Sequence, residues 1–400
     1  MIALSVSAVV AGPLAVFAPL GMAPLAGCVA IVSLLATTRE RLWRQVLGHP
    51  GASVTLLLLA WMLITTAWTL HAQDALSLFA RTAVLIAGGT ALTAMLLAGG
   101  PARPQRLAQT VVAGFALLVM FLAFELVSEG LLVRTALPER YAHEPWIYVV
   151  VSRGTVFMAL MMWPTLLAVR ALGYRSGIVI VIATALAIAW LTDHGATKIA
   201  VAAGLITLAL VYWLGRRAVV FIGSLPVALI VSAPLWPHAL LAPHAWPVIA
   251  DWLKLSAVHR LYIWQFVAER VRERPLFGWG FDASRDIPGG DALTPIGVPA
   301  LSLHPHNAAL QVWLELGAVG AALFALIVAM IVRHIAQSDV DRLTQAAAAA
   351  ALSTSFTVAS LSFGIWQSWW VGSVVLMVVW IAALRGAAGG APHVGTQISA

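Results

Sequence analysis

Three cationic side chains stand where the sequence is otherwise apolar, and their chemistry is that of anion binding. Arg153 follows the apolar run 147–151, Lys198 begins another apolar segment, and Arg260 lies on or beside the apolar face of a predicted helix. A charge within a membrane-spanning segment is costly and usually faces a polar cavity. Arginine suits a phosphate or diphosphate there. We therefore predict a cationic pocket, with Arg140 as a lesser candidate for it.

Each of these cations also has a simpler interpretation. Lys198 is equally consistent with an ion pair to Asp193 or with an ammonium that reaches the membrane surface along its apolar stem. The same snorkelling geometry is an alternative for Arg153 and for Arg260, whose helix would then lie on the membrane surface. Arg134, in the same short loop as Arg140, is another lesser candidate.

Composition places these residues in a membrane protein. Of the 400 residues, 61% are hydrophobic and 10% are charged, whereas a soluble domain carries about 25% charged residues. This excludes a soluble enzyme, a disordered chain and a disulfide scaffold. The single cysteine, Cys28, cannot form an internal disulfide, and we expect it to be a small core residue. The formal charge of +7 is expected to mark cytoplasmic loops rather than nucleic-acid binding.

Apolar runs of bilayer-crossing length recur along the whole chain. They predict an all-α polytopic protein with about twelve transmembrane helices. The predicted spans are 3–18, 20–37, 52–70, 80–99, 107–128, 147–169, 177–192, 196–214, 218–237, 306–332, 343–362 and 366–385. With a cytoplasmic N-terminus, each inner loop receives at least two arginines, as the positive-inside rule requires. These arginines are Arg39, Arg41, Arg44, Arg103, Arg106, Arg170, Arg175, Arg216, Arg217, Arg333, Arg342 and Arg385.

The chain is predicted to form one membrane domain without internal repeats. Helices one to nine occupy 1–237, a large outer loop with helices occupies 238–305, helices ten to twelve occupy 306–385, and 386–400 is a cytoplasmic tail. A smaller outer loop covers 129–146. A cleaved signal peptide is not expected, because no basic residue precedes the first apolar run.

The large outer loop has its own pattern. Residues 250–274 predict a helix that Pro275 ends. Two glycines among aromatic residues in 275–282 predict a tight packed turn. Residues 286–299 are predicted to be irregular, and the loop closes on His304-Pro305-His306-Asn307.

The tenth span begins directly after these histidines. His306 is predicted at its outer mouth, where a helix-capping role is the simple alternative. Gly317 and Gly320 are three residues apart, so we expect them to share a helix face and allow close packing. Glu315 is predicted to be buried in the span and to need a partner, either as a helix-pairing residue or as part of the site.

His306-Asn307, nine further residues and Gly317-x-x-Gly320 resemble the signature of bacterial O-antigen ligases. The supporting features are the span number, the long outer loop, Arg260 on its helix and the Pro-Leu-Phe-Gly-x-Gly turn at 275–280. The wider superfamily includes O-antigen polymerases and protein O-oligosaccharyltransferases. The resemblance implies a GT-C-like fold in the inner membrane. It also implies a site that faces the periplasm.

The implied reaction transfers a glycan from undecaprenyl diphosphate to a sugar hydroxyl of lipid A–core in lipopolysaccharide biosynthesis. It inverts the anomeric carbon, needs no metal or other cofactor, and involves membrane lipids but no nucleic acid. A diphosphate is already an activated leaving group, so cations must stabilise the departing charge and a base must accept a proton. We predict His306 as the base, with Arg153, Lys198, Arg260 and Arg140 as diphosphate-binding residues.

Three other functions remain open from the sequence. A polymerase would use a second lipid-linked glycan as acceptor, and a protein O-oligosaccharyltransferase usually has a longer C-terminal part. A secondary transporter fits the span number, but its repeats are missing and the unusual charges gather at the outer surface. A metal bound by His304 and His306 with Asp282 or Asp291 is disfavoured by Pro305 between the histidines.

Overall fold

A computed structural model of the chain describes residues 1–36, 48, 50–99, 105–237, 254–301 and 303–385, except for the side chain of Arg140. In these ranges the secondary structure consists of sixteen α-helices and short 3-10 turns, without a strand. One isolated bridge joins Leu293 and Pro299 in the outer loop. The predicted all-α class is therefore confirmed for the described residues.

The helices follow one another with short connections through most of the chain. The first eight are α1 (Ile2–Phe17), α2 (Met22–Leu35), α3 (Pro50–Thr65), α4 (Ala72–Ala98), α5 (Gln105–Val127), α6 (Leu131–Ala136), α7 (Pro138–Tyr141) and α8 (Ile147–Val150). The other eight are α9 (Ser152–Ala171), α10 (Arg175–Leu191), α11 (Gly195–Leu214), α12 (Arg216–Ser232), α13 (Leu255–Glu273), α14 (Ala308–Gln337), α15 (Arg342–Leu361) and α16 (Ser368–Leu384).

A helix occupies each of the twelve segments predicted to span the membrane. In the described ranges, six helices are long and apolar enough to cross a bilayer: Pro50–Trp68, Ala72–Ala98, Gln105–Val127, Ser152–Ala171, Gly195–Leu214 and Ala308–Gln337. Further apolar helices, such as α1 and α10, are shorter. The chain is thus a multi-pass membrane protein, while the number twelve and the GT-C-like fold stay predictions.

Helix α9 is the centre of the bundle. It packs against α1, α5, α10, α11, α15 and α16, and its side chains are buried without interruption from Gly154 to Val169. A helix that is apolar on every side is stable only when other helices surround it. Its 20 residues span about 30 Å, so α9 joins two ends of the bundle, here called the Arg153 end and the Arg170 end.

The Arg170 end is held by arginines that the sequence assigns to inner loops. Arg170 forms an ion pair with Asp341, whose side chain also caps the start of α15. Arg216 donates through Nε to the carbonyl of Ala336 at 2.6 Å, and Arg385 donates through Nη2 to the carbonyl of Gly99 at 3.1 Å. Arg216 and Arg385 thus satisfy carbonyls at helix C-termini, and all three arginines gather at one end as predicted.

The outer loop lies at the Arg153 end and is anchored by α13, which packs on α14. This helix ends at Glu273, and Pro275 follows as predicted. Several predicted features lie outside the described residues. They are part of the predicted helix (250–253), the loop residues 238–249 and Ser302, the tail 386–400, and Arg39, Arg41, Arg44 and Arg103.

The expectation that Cys28 is a core residue is wrong, because Cys28 is exposed on α2.

Candidate active site

His306 lies directly before α14, in a backbone conformation that holds its ring in place. Asn307 caps the helix, with its side-chain oxygen accepting from the Leu310 amide at 3.0 Å. His306 has a φ of 52°, and its amide donates to Nδ1 of His304 at 3.2 Å. The left-handed conformation is uncommon outside glycine. The helix-capping role therefore belongs to Asn307, and the side chain of His306 is left for other contacts.

A single backbone carbonyl determines which nitrogen of His306 carries the proton. Nδ1 lies against the carbonyl oxygen of Ser362, in the connection between α15 and α16. A carbonyl only accepts, so Nδ1 must donate and Nε2 of the neutral ring becomes the acceptor. This is the tautomer that a general base requires.

The surroundings keep His306 and His304 neutral. Burial lowers the pKa of His306 from 6.5 to about 4; the Ser362 carbonyl opposes this shift, and the nearby Arg260 and His259 add to it. Burial, then His306, Arg285 and Arg260, lower the pKa of His304 to about 3. The two rings lie 4.2 Å apart. Near neutral pH, both imidazoles are therefore uncharged.

Arg260 is the cation that these rings share. Its Nε is buried and has no hydrogen-bond partner among the described residues, and Nη1 makes only a 3.3 Å contact to the Ser256 carbonyl of its own helix. Burial lowers its pKa. A buried polar group without a partner costs free energy unless something binds it. This arginine is thus suited to receive an anion.

His194 completes the group and was not predicted from the sequence. Burial and then Arg260 lower its pKa to about 4. Its Nδ1 lies 2.7 Å from Oγ1 of Thr197, and Thr197 lies 3.4 Å from Thr155 of α9. The available signal was the polar run 192–198 before an apolar helix. We call His194, Arg260, His304 and His306 the histidine–arginine cluster.

Lys198 forms the ion pair that the sequence offered as an alternative. Nζ donates to Oδ1 of Asp193 at 2.7 Å, and the other carboxylate oxygen accepts from Lys254 at 2.7 Å. Hydrogen bonds to these two lysines lower the pKa of Asp193 to about 2. Asp193 thereby joins the start of α11 to the start of α13. The binding of diphosphate by Lys198 stays a prediction.

Arg153 lies nearer the start of its helix than predicted. The predicted span 147–169 would place it about two turns into the helix, whereas the chain bends at Val151 and α9 begins at Ser152. Arg153 is therefore in the first turn, two residues before Thr155. Its guanidinium lies 5.5 Å from the ring of Trp369, which belongs to α16. A cation at a helix end is less costly than one at mid-membrane.

Arg134 does not reach the cluster. Its guanidinium donates to the backbone carbonyls of Glu129, Tyr141 and Glu144 at 2.8, 2.9 and 2.6 Å. These bonds close the small outer loop, so this lesser candidate has a structural role. The side chain of Arg140 lies outside the described residues, and its assignment stays a prediction.

Gly317 breaks α14 instead of lining a helix–helix contact. Its φ of 64° interrupts the helix, so the predicted shared face of Gly317 and Gly320 is wrong. The break exposes backbone groups that the 275–280 turn satisfies. Trp279 and Gly280 donate to the carbonyls of Leu314 and Glu315 at 2.8 and 2.9 Å, and Ala318 donates to the Pro275 carbonyl at 2.9 Å.

Glu315 is a fully buried carboxylate surrounded by donors. It accepts from Gln311 Nε2 at 3.0 Å and from Trp366 Nε1 at 2.8 Å. It also accepts from the Asp282 amide at 3.1 Å and from the Ser284 hydroxyl. A buried carboxyl group is stable only with such hydrogen-bond partners. The partner expected for Glu315 is therefore a set of donors from the outer loop and from the α15–α16 connection.

Fold and cluster together define a multi-pass helical membrane protein with a cationic, histidine-bearing site at one end of its bundle. Residues 179–325 match the family model described as O-antigen ligase. This range contains Lys198, Arg260, His306 and the glycine pair, and it leaves out Arg153 and Arg140. The resemblance to O-antigen ligases that the motif indicated is therefore confirmed over this region of the chain.

Rickettsial proteins named "Putative polysaccharide ligase" are similar to most of the chain. The protein from Rickettsia conorii is 24% identical over 84% of this chain and 80% of its own length. The protein from Rickettsia typhi is 26% identical over 82% and 78%, respectively. A third, from Rickettsia bellii, is 34% identical over 31% of each chain. The likeness therefore covers more than the family-matched region.

Proposed function

We propose that this protein transfers a glycan from undecaprenyl diphosphate to a sugar hydroxyl of lipid A–core, by an inverting displacement that needs no metal. The histidine–arginine cluster is the observation that carries the proposal. It combines a buried arginine nitrogen without a partner and a neutral histidine whose Nε2 is the acceptor. The match of residues 179–325 to the O-antigen ligase family model supports the substrate class.

The cations stabilise the departing diphosphate. As the bond between the sugar C1 and the diphosphate oxygen breaks, its electron pair moves to the diphosphate. Arg260 stabilises that charge in a site with little water. Arg153 and Arg140 add positive charge at the rim. Lys198 joins them when the diphosphate replaces Asp193 as its partner.

His306 handles the proton of the acceptor. Nε2 takes the proton from the attacking hydroxyl while the new bond to C1 forms. The Ser362 carbonyl then stabilises the imidazolium, because it still accepts from Nδ1. The hydroxyl attacks from the side opposite to the leaving diphosphate, so the configuration at C1 inverts. Both substrates carry lipid anchors, and we place the Arg153 end at the periplasmic face of the inner membrane.

A transfer assay with purified protein tests the proposal. Undecaprenyl-diphosphate-linked glycan and lipid A–core are supplied with EDTA, and the product is detected as a mobility shift of the acceptor. We expect transfer by the wild type and at least a hundredfold less by His306→Ala. If a folded wild type lengthens the lipid-linked glycan without using lipid A–core, the protein is a polymerase. Activity that EDTA abolishes would contradict the metal-independent mechanism.

Arg260 has a matched control on its own helix. Arg272 is exposed near the end of α13, so Arg272→Ala removes the same charge without touching the cluster. We expect Arg260→Ala to lower kcat/KM for the donor about a hundredfold, and Arg272→Ala to leave it within about twofold. Equal effects of the two variants would show that general surface charge, not the cluster, attracts the donor.

A further inference from the structure

The connection between α15 and α16, residues 362–367, is hydrogen-bonded to the first two turns of α14 and, through another of its residues, to His306. We propose that Gln311 and Glu315 are positioning residues, which fix this connection and through it the ring of His306. The inference deepens the proposed function, since it assumes that His306 is the base. It assigns a role to two polar side chains of α14 to which the proposed displacement gives none.

Gln311 links α14 to the connection directly. It is buried, and its Oε1 accepts from the Ile365 amide at 3.0 Å, while its Nε2 donates to Glu315 at 3.0 Å. Glu315 accepts from Nε1 of Trp366 at 2.8 Å. Two successive residues of the connection are thus bound to two residues of α14 that lie one helical turn apart.

The other side of the same connection holds the histidines. Ser362 offers its carbonyl to Nδ1 of His306. Gly364 lies close to His304, since a Cβ added to Gly364 would be 3.2 Å from Cγ of that ring. His304 in turn accepts from the His306 amide. Residues 362–367 are therefore fixed by Gln311 and Glu315 on one side and touch both histidines on the other.

If residues 362–367 lost their fixed position, the chemical step would be slowed. The Ser362 carbonyl both selects the tautomer of His306 and aims Nε2, and a misplacement of about 1 Å costs a reacting group about a hundredfold in rate. Arg260 lies on α13 and has no bond to the connection, so donor binding should stay intact. The expected signature is a lower kcat with an unchanged KM for the donor.

Gln311→Met tests the inference, because methionine keeps the volume and removes all three side-chain hydrogen bonds, including the long 3.5 Å bond from Nε2 to the Ser284 hydroxyl. Gln345→Met is the matched control: Gln345 is also buried, and it donates to the Ile335 carbonyl at 3.0 Å at the Arg170 end. We expect Gln311→Met to lower kcat about tenfold, with the donor KM within about twofold. We also expect faster hydrogen–deuterium exchange of residues 303–307. Gln345→Met should show neither change.

Two results would overturn the inference. One is a Gln311→Met protein with wild-type kcat, and the other is an unchanged exchange rate at 303–307. If Gln311→Met does not fold, Trp366→Phe removes one donor to Glu315 and keeps an aromatic side chain, although a smaller one, and the same two readouts apply. If the wild type transfers no glycan, the proposed function fails, while the exchange rates still decide whether Gln311 orders the histidine segment.

Discussion

In the histidine–arginine cluster, one arginine lies among three histidines, and its positive charge disfavours their protonation. Arg260 contributes to the lowered pKa of His194, His304 and His306, after burial as the larger cause. A base with a pKa near 4 is weak while it stands beside a bare cation. An entering diphosphate offsets the charge of Arg260, so its arrival should raise the pKa of His306. Donor binding and base strength are thereby coupled.

This coupling predicts different pH profiles for the two kinetic constants. His306 has a folded-state pKa lowered from 6.5 to about 4, so it is neutral at every pH above that value. The constant kcat/KM reports the free enzyme, and kcat reports the substrate complex. We expect kcat/KM for the donor to fall only near pH 4, and kcat to fall at a higher pH.

The profiles are to be measured between pH 4 and 8, with the thermal midpoint recorded at each pH to show that the protein stays folded. A kcat/KM profile that falls near pH 6.5 would mean that the histidine of the free enzyme is not shielded as the structure indicates. Identical acid limbs for both constants would show that the donor does not change the pKa of His306.

At the scale of elements, two glycine-containing segments fit one another through their backbones. The break of α14 at Gly317 and the turn at 275–280 exchange hydrogen bonds in both directions. Trp61 of α3 donates through Nε1 to the remaining Leu316 carbonyl at 2.9 Å. Broken helices are stable in a membrane only where other groups satisfy the backbone in this way.

Gly317→Ala should therefore lower the free energy of unfolding by more than the strain of the backbone conformation alone. A Cβ there would lie 2.4 Å from the Leu276 carbonyl oxygen, on a residue with φ of 64°. Gly173 is the control for a positive φ, since its φ is 85° and a Cβ would have no atom within 4 Å, whereas Gly317 also has a ψ of −164°. We expect Gly173→Ala to cost about 1 kcal/mol. Gly317→Ala should cost roughly 3 kcal/mol, because overpacking is added.

Thermal midpoints of the two variants in the same detergent are the measurement. A larger drop for Gly317→Ala confirms that the 275–280 turn is packed against the break. Equal drops would show that the turn moves away at little cost, and the hydrogen bonds between the two segments would then contribute little to stability.

These glycines also show where sequence reasoning stops. The spacing predicted a helix, a tight turn at 275–282 and a shared face for Gly317 and Gly320. The helix and the turn are present, but the face is not, because periodicity assumes an unbroken helix. Likewise Ser362 supplies only a backbone carbonyl, which no side-chain pattern marks. Gln311 follows helical spacing from Asn307, yet its partner lies 54 residues away.

At the scale of the molecule, the central helix α9 separates two ends with different chemistry. Arg153 lies at one end, beside Trp369 and the threonines that lead to the cluster. The other end holds the ion pair of Arg170 with Asp341. Hydropathy and arginine distribution were sufficient to predict both ends, because they depend on composition along the chain. The meeting of α9, α11, α13 and α14 at the cluster depends on packing, which the sequence pattern does not contain.

The two ends predict opposite accessibility in cells. Leu293 is 72% exposed in the outer loop, and Asp339 is exposed between α14 and α15 at the Arg170 end. In a Cys28→Ser background, which removes the only native thiol, a membrane-impermeant maleimide with access to the periplasm should label Leu293→Cys in intact cells. It should label Asp339→Cys only after the inner membrane is opened, since arginine-rich loops stay cytoplasmic. The reverse pattern would put the cluster on the cytoplasmic side, away from a periplasmic donor and acceptor. Labelling of both thiols in intact cells would contradict the assignment of the two ends to opposite membrane faces.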